Sequence, residues 1–205
     1  MPCAPGKNKF SVEDALSLRK KWREKLGIND NEVLFIYSGG LSPWQSIDKA
    51  YEIFLKYKRE KGNAVFLIMT PNKDGLDFPE ATIMSFASSE VSEVLFAGDV
   101  AFLIREDFVT NHVAFPNKYL EYVLSNMLII STPYLKDISK EIKEKHLGMI
   151  IEKTDDFSSS QLESILKAKG TFEENYTLRK EITESHGFSK TLKKFAKKID
   201  ETIDN

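Results

Sequence analysis

Residues 32–50 read Glu32-Val33-Leu34-Phe35-Ile36-Tyr37-Ser38-Gly39-Gly40-Leu41-Ser42-Pro43-Trp44-Gln45-Ser46-Ile47-Asp48-Lys49-Ala50. Val33 to Tyr37 is a continuous apolar run, partly β-branched, as expected of a strand covered on both faces. Ser38-Gly39-Gly40 ends it. Ser42 then suits a helix N-cap, Pro43 the first helical position, and Gln45 the closing partner of a capping box. Ile47, Ala50, Tyr51, Phe54 and Tyr57 follow at helical spacing. A buried strand, a glycine turn and a capped amphipathic helix, in that order, open a βαβ unit.

The alternation continues on both sides. Upstream, Ser11 as N-cap with Asp14 three residues on starts a helix that Gly27 stops. Downstream, residues 64–69 (AVFLIM) predict a second buried strand, 82–86 a weaker third, 100–104 a fourth, 127–131 a fifth and 148–151 a short sixth. Helices are expected over 89–96, 117–126 and 135–145. Beyond Asp155 the pattern is helical only, over 161–167, 172–185 and 189–203. The expected fold is α/β: a Rossmann-like open parallel sheet of about six strands with helices on both faces. The first ten residues, MPCAPGKNKF, hold two prolines and a glycine and suit neither a helix nor a central strand.

Composition narrows the function. The 205 residues are 41% hydrophobic and 29% charged, a soluble globular mixture. Lys+Arg 29 against Asp+Glu 31 leaves a net charge of -2, which argues against a dedicated nucleic-acid binder. One cysteine, Cys3, excludes an internal disulfide framework, and with three scattered histidines a cysteine-rich zinc cluster is excluded too. No apolar run reaches the length of a membrane span, and the N-terminus lacks the pattern of a secretory signal. A cytoplasmic protein is expected.

In an open parallel sheet, ligands bind beyond the carboxyl ends of the strands. Two segments should face such a site: residues 38–44 and the long connection 105–118. Gly39-Gly40 allows close approach to an anion at a helix N-terminus, or is a plain tight turn. It is neither a P-loop nor a dinucleotide fingerprint, since GK[ST] and GxGxxG are both absent. Arg105 suits a phosphate, or pairs with Glu106 or Asp107 in solvent. Lys118 and Glu121 lie at i,i+3 on one helix face, where an ordinary ion pair is the other reading. His112 stands alone in this connection, and Trp44 suits either stacking on a ligand or anchoring its helix.

Four stretches together resemble the carboxyl-terminal half of a GT-B glycosyltransferase, in glycosyltransferase family 4 (glycosyl transferases group 1). PCAPGKNKF resembles that family's interdomain linker, and EVLFIYSGGLSPWQSIDKA its first strand, glycine turn and helix. EVLFAGDVAFLIR resembles the helix, aspartate and strand before the donor loop. NHVAFPNKYLEYVLSNMLIIST resembles the proline, lysine and glutamate-tyrosine block before strand five, and is the most specific of the four. The resemblance spans residues 2–155. It implies that 1–10 is a linker remnant and 11–205 a donor-binding domain with C-terminal flanking helices. It implies a retaining enzyme that moves a sugar from a nucleotide-diphosphate sugar to an acceptor in polysaccharide or glycolipid synthesis, without metal or other cofactor. Glu121 would accept hydrogen bonds from the ribose hydroxyls. Backbone amides near Gly39 and Gly40 and in the loop before Pro116 would hold the diphosphate.

The chain also departs from the family. Where many members place an arginine and a lysine after strand one, this sequence has Gly40 and Gln45; where many have a further glutamate, it has Val113. Arg105, Asn111 and Lys118 are the remaining polar candidates for phosphate or sugar. No catalytic residue is assigned; the resemblance implies that a complete enzyme has an acceptor-binding first domain, which is expected to be missing from this chain. The expected partners are a nucleotide sugar and that missing domain. The alternative is a non-catalytic Rossmann-like module that regulates or assembles a polysaccharide synthesis complex, favoured by the residues at 40 and 45. A receiver-like signalling domain would want clustered aspartates after strand one and is disfavoured. In the tail, Lys190, Lys193, Lys194, Lys197 and Lys198 flank Leu192, Phe195, Ala196, Ile199 and Ile203. Such a helix suits peripheral contact with the inner face of an anionic membrane, or packing on the sheet with solvated lysines.

Overall fold

The computed structural model describes residues 10–40, 46–73 and 75–186. The strands are β1 (Val33–Ser38), β2 (Ala64–Met69), β3 (Ala81–Met84), β4 (Val100–Leu103), β5 (Leu128–Ser131) and β6 (Gly148–Ile150). The helices are α1 (Val12–Leu26), α2 (Ile47–Lys61), α3 (Ser88–Val94), α4 (Val109–Val113), α5 (Asn117–Leu124), α6 (Lys136–Glu144), α7 (Ser159–Ala168) and α8 (Phe172–Ser185). The strands form one sheet in the order β3-β2-β1-β4-β5-β6. Every pairing is parallel. The expected α/β Rossmann-like open sheet is what the chain adopts.

Successive strand residues serve opposite faces, as the pleat requires. Leu34, Ile36, Leu67, Met69, Ala101, Leu103 and Ile129 pack with Trp22, Leu120, Ile138 and Ile182, which places α1, α5, α6 and α8 on one face. Phe35, Tyr37, Phe66, Ile68, Phe102 and Ile130 pack with Ile53, Phe54, Tyr57 and Leu162, which places α2 and α7 on the other. Phe35 lies at the centre of that second layer, stacked on Phe102 at 5.6 Å and edge-on to Tyr57 at 5.0 Å. Strands covered this way have no polar face, which is why they read as unbroken apolar runs.

The amino ends of the strands are tied to α1 through Asp99. Its carboxylate meets Arg19 at 2.5 Å and Arg23 at 3.0 Å, and accepts the Leu34 N–H at 2.8 Å. Arg23 is 5% exposed and spreads its other donors over the carbonyls of Ala97, Asn29 and Glu32. The aspartate of EVLFAGDVAFLIR is thus a structural clasp at the end of the sheet away from any strand-end ligand. Gly148 is fixed by close approach: a Cβ there would overlap the backbone of Ile129 on the neighbouring strand.

Several boundaries shift from the sequence expectation. The third strand is 81–84, one residue early, and the helix expected over 89–96 is α3 followed by a single 3-10 turn, Leu95–Ala97. The cap expected at Ser42-Pro43-Trp44-Gln45 lies outside the described residues. The helix itself begins at Ile47, behind Ser46, which is left-handed (φ 47) and makes no side-chain capping bond. The connection 105–118 is not one long loop, because α4 occupies its middle. The helix expected over 189–203 and most of the linker also lie outside the described residues. Phe10, the linker's last residue, is described: its ring packs on Phe96 at 5.4 Å and its carbonyl accepts the Tyr176 hydroxyl at 3.2 Å.

Candidate functional site

β1 sits between β2 and β4, so strand order reverses there and the crevice lies beyond the carboxyl ends of β1 and β4. The end of β1 is held from α5. Tyr122 receives the Ser38 N–H at 3.1 Å and its hydroxyl donates to the Ser38 carbonyl at 3.3 Å. Complete burial pushes the Tyr122 pKa up, so its proton stays on at any ordinary pH. The Gly39 N–H donates to the Met69 carbonyl at 3.0 Å, extending the ladder with β2, and the Tyr37 hydroxyl donates to the Gly40 carbonyl. Burial pushes the Tyr37 pKa up to about 12. Gly39's own amide is therefore already in use; residues 41–45, which follow Gly40, lie outside the described residues.

The loop after β4 is anchored by Thr132. The Arg105 N–H donates to Thr132 Oγ1 at 3.1 Å, and that hydroxyl donates back to the Arg105 carbonyl at 2.8 Å. The guanidinium donates to the Ile104 carbonyl at 2.7 Å. Arg105 makes no ion pair with either neighbouring carboxylate. Glu106 turns to Lys49, at 2.9 Å, and to the Ser46 hydroxyl, while Asp107 meets His112 at 2.6 Å. Burial lowers the Arg105 pKa, and the nearby Tyr37 and Tyr122 oppose this. The result is a partly desolvated cation with no carboxylate partner among the described residues. Asn111 is buried and its amide donates to the Glu106 carbonyl at 2.8 Å, closing the turn into α4. That turn leaves Phe108, Val109 and Val113 exposed, beside a groove of about 690 Å³.

Lys118 and Glu121 form the expected i,i+3 pair, 2.7 Å apart on α5. Lys118 also lines a cavity of about 210 Å³ with Ser38, Gly39, Met69, Thr70 and Phe86. The structure thus brings Gly39 and Lys118 around one cavity, with Glu121 bonded to that lysine. Asn111 belongs to the neighbouring groove. Tyr122, Thr132, Glu106, Ser46 and Thr70 were not singled out by sequence. Tyr122 and Thr132 lie inside the most specific block and Ser46 inside the first-strand stretch, whereas Glu106 and Thr70 carry no signal beyond standing next to a strand end. Among the described residues, no group of three or more histidines, cysteines or carboxylates could hold a metal ion.

Neither a protein-family model nor a curated protein matches the sequence. Solved structures do match the fold. The chain is similar to a glycosyltransferase from Rickettsia africae (TM-score 0.65, 13% identity, 96% of this chain and 54% of that one). It is similar to WaaG, a glycosyltransferase involved in lipopolysaccharide biosynthesis (TM-score 0.61, 17% identity, 89% of this chain and 50% of that one). It is also similar to the C-terminal domain of LpcC, a glycosyl transferase group 1 family protein from Francisella tularensis (TM-score 0.57, 13% identity, 90% of this chain and 96% of that one). The fold is that of one half of a GT-B architecture, and the chain spans about half the length of the first two proteins.

Proposed function

We propose that this chain is the donor-binding half of a retaining GT-B glycosyltransferase of family 4, acting on a nucleotide-diphosphate sugar. The observation that carries the reading is that Gly39 and Lys118 line one cavity at the carboxyl ends of the strands, with Glu121 paired to that lysine. A carboxylate suits two vicinal ribose hydroxyls. Arg105, a cation without a carboxylate partner among the described residues, suits the diphosphate. In that role Arg105 and Lys118 would stabilise the negative charge that grows on the leaving diphosphate as the glycosidic bond breaks. Lys118 would then exchange Glu121 for phosphate, which frees the carboxylate for the ribose. Asn111 holds the loop that presents Arg105. No cofactor is needed for this chemistry. Transfer requires an acceptor-binding half as well as a donor-binding one, since proximity and closure supply much of the rate.

The similarity to WaaG supports an acceptor in polysaccharide or glycolipid synthesis, and hence a cytoplasmic protein working at the inner face of a membrane. Among the described residues no helix is long and apolar enough to cross a membrane. A second reading, a non-catalytic module that regulates or assembles a polysaccharide synthesis complex, is favoured by Gly40 and Gln45 where many family members carry cations.

A thermal-shift panel of UDP, GDP, ADP and their sugars separates the two. Ligand at a hundredfold excess over Kd stabilises a native state by about 2.7 kcal/mol. For a chain of this size that raises Tm by roughly 5–11 °C. One nucleotide class should give such a shift, and Glu121→Ala should remove it. No shift with any of them would favour the non-catalytic module.

A further inference from the structure

Lys49 stands in the first turn of α2, where the helix dipole favours anions and works against an ammonium. A carboxylate from a distant part of the chain holds it there: Nζ lies 2.9 Å from Glu106 Oε1 and 3.1 Å from Oε2. Glu106 also accepts the Ser46 hydroxyl, and the bonds from Ser46 and Lys49 keep its carboxyl below the usual range. Both partners meet solvent, with side chains 39% and 33% exposed. An exposed pair of this kind adds little to the stability of a fold.

The pair joins the two segments that flank the crevice. Lys49 belongs to the helix that follows the Gly39-Gly40 turn, and Glu106 directly follows Arg105, the cation assigned above to the diphosphate. The Arg105 guanidinium is close enough to Tyr37 for each to shift the other's pKa, and the Tyr37 hydroxyl donates to the Gly40 carbonyl. Beyond β1 and β4 the chain thus carries Arg105, with no carboxylate partner among the described residues, and Lys49, with one. A carboxylate held by an ammonium and a hydroxyl occupies the donors that a phosphate oxygen would take, since both are oxyanions that accept from N–H and O–H groups.

Resting on the nucleotide-sugar reading above, we propose that Lys49 is a further ligand of the diphosphate and that Glu106 is its stand-in anion, holding the ammonium in the free protein and yielding it to a phosphate oxygen when the nucleotide enters. The test measures UDP, GDP and ADP affinities by titration calorimetry for wild type, Lys49→Met, Glu106→Gln and the double variant. Lys49→Met should weaken the diphosphate that wild type binds best by roughly fivefold to tenfold. Rising salt should weaken wild type more steeply than Lys49→Met, which has one charge pair fewer to screen. Glu106→Gln should tighten the same ligand by roughly twofold to fivefold, because the ammonium no longer has to leave a carboxylate. In the Lys49→Met background Glu106→Gln should no longer tighten it. Both single variants should melt within about 2 °C of wild type when free. If the pair is only a tie between α2 and the loop after β4, the two single variants will weaken binding alike, which would overturn the proposal and leave the donor reading intact. Unchanged affinity in Lys49→Met would do the same, as would tightening by Glu106→Gln that survives without the lysine. A wild-type chain that binds none of the three nucleotides would overturn both.

Discussion

Tyr122 shows how one side chain can position a site without touching a ligand. Its hydroxyl both accepts from and donates to Ser38, fastening the end of the central strand to α5. Tyr122→Phe keeps the ring in the core and leaves the buried Ser38 N–H without this acceptor. The cost should be about 1–2 kcal/mol, seen as a fall in Tm of roughly 2–8 °C. Nucleotide binding should weaken with it, because the Gly39 turn loses its anchor; unchanged affinity would show that the strand end is held well enough without it. Sequence brought Tyr122 only as the neighbour of Glu121, since nothing in a Glu-Tyr pair says that the tyrosine reaches across the sheet. For Lys118 and Glu121 the ion-pair reading held. For Arg105 it failed, because Glu106 and Asp107 both found partners that are distant or irregular in sequence, Lys49 and His112.

Elements were legible where burial alone decides them. The runs at 33–37 and 64–69 could be nothing but covered strands, and the second matches β2 to the residue. Local capping chemistry was equally readable: Ser11 and Asp14 form the expected box, and Gly27 ends α1 in the left-handed region at φ 67. At α2 the observed N-cap is Ser46, for which sequence gave no capping signal, and it gives its hydroxyl to Glu106 instead of to its own helix. That bond joins residues 60 apart, and no local rule contains it. α4 was missed for a related reason: five residues held by the Asn111–Glu106 tie have no periodicity to read.

Two predictions belong to this scale. Asp99→Ala strands Arg23 in a buried site and also deprives Arg19 and the Leu34 amide, so it should cost about 3–5 kcal/mol. The corresponding drop in Tm is roughly 6–20 °C; a drop under 2 °C would mean that α1 is held by its apolar stripe alone. Glu106→Ala should leave Tm within about 2 °C, since the pair is partly exposed. It should speed amide exchange over 105–113, because the bonds joining that segment to α2 are gone. Equal exchange in both proteins would place the restraint on Thr132 and Asn111 instead.

For the whole molecule, the unusual feature is a pair of cations gathered behind α5. Arg179, 2% exposed, donates to the Met127 carbonyl, and Lys169 donates to that of Asn126. Both carbonyls follow the C-terminus of α5, where a helix favours positive charge. Burial nevertheless dominates. It pulls the Arg179 pKa down to about 10 and that of Lys169 down to about 7, the latter helped by repulsion from Arg179 and opposed by Asp99. An unfolded lysine titrates near 10.4. Between about pH 7 and pH 10 the unfolded chain therefore holds a proton on Lys169 that the folded chain has released. Stability must rise with pH across that window, and below it the folded chain carries a poorly solvated ammonium. The lowered carboxylates lie beneath this range, and the raised tyrosines lie above it. Lys169 keeps some access to water, so the gain from pH 7 to pH 9 should be on the order of 1–2 kcal/mol, or roughly 2–8 °C in Tm. Lys169→Met should abolish the gain and melt above wild type at pH 7, because a neutral side chain of similar length stands where a charge was costly. A pH gain that survives in Lys169→Met would assign it to another group, and a variant that melts lower at pH 7 would show that the Asn126 hydrogen bond outweighs the desolvation of the ammonium.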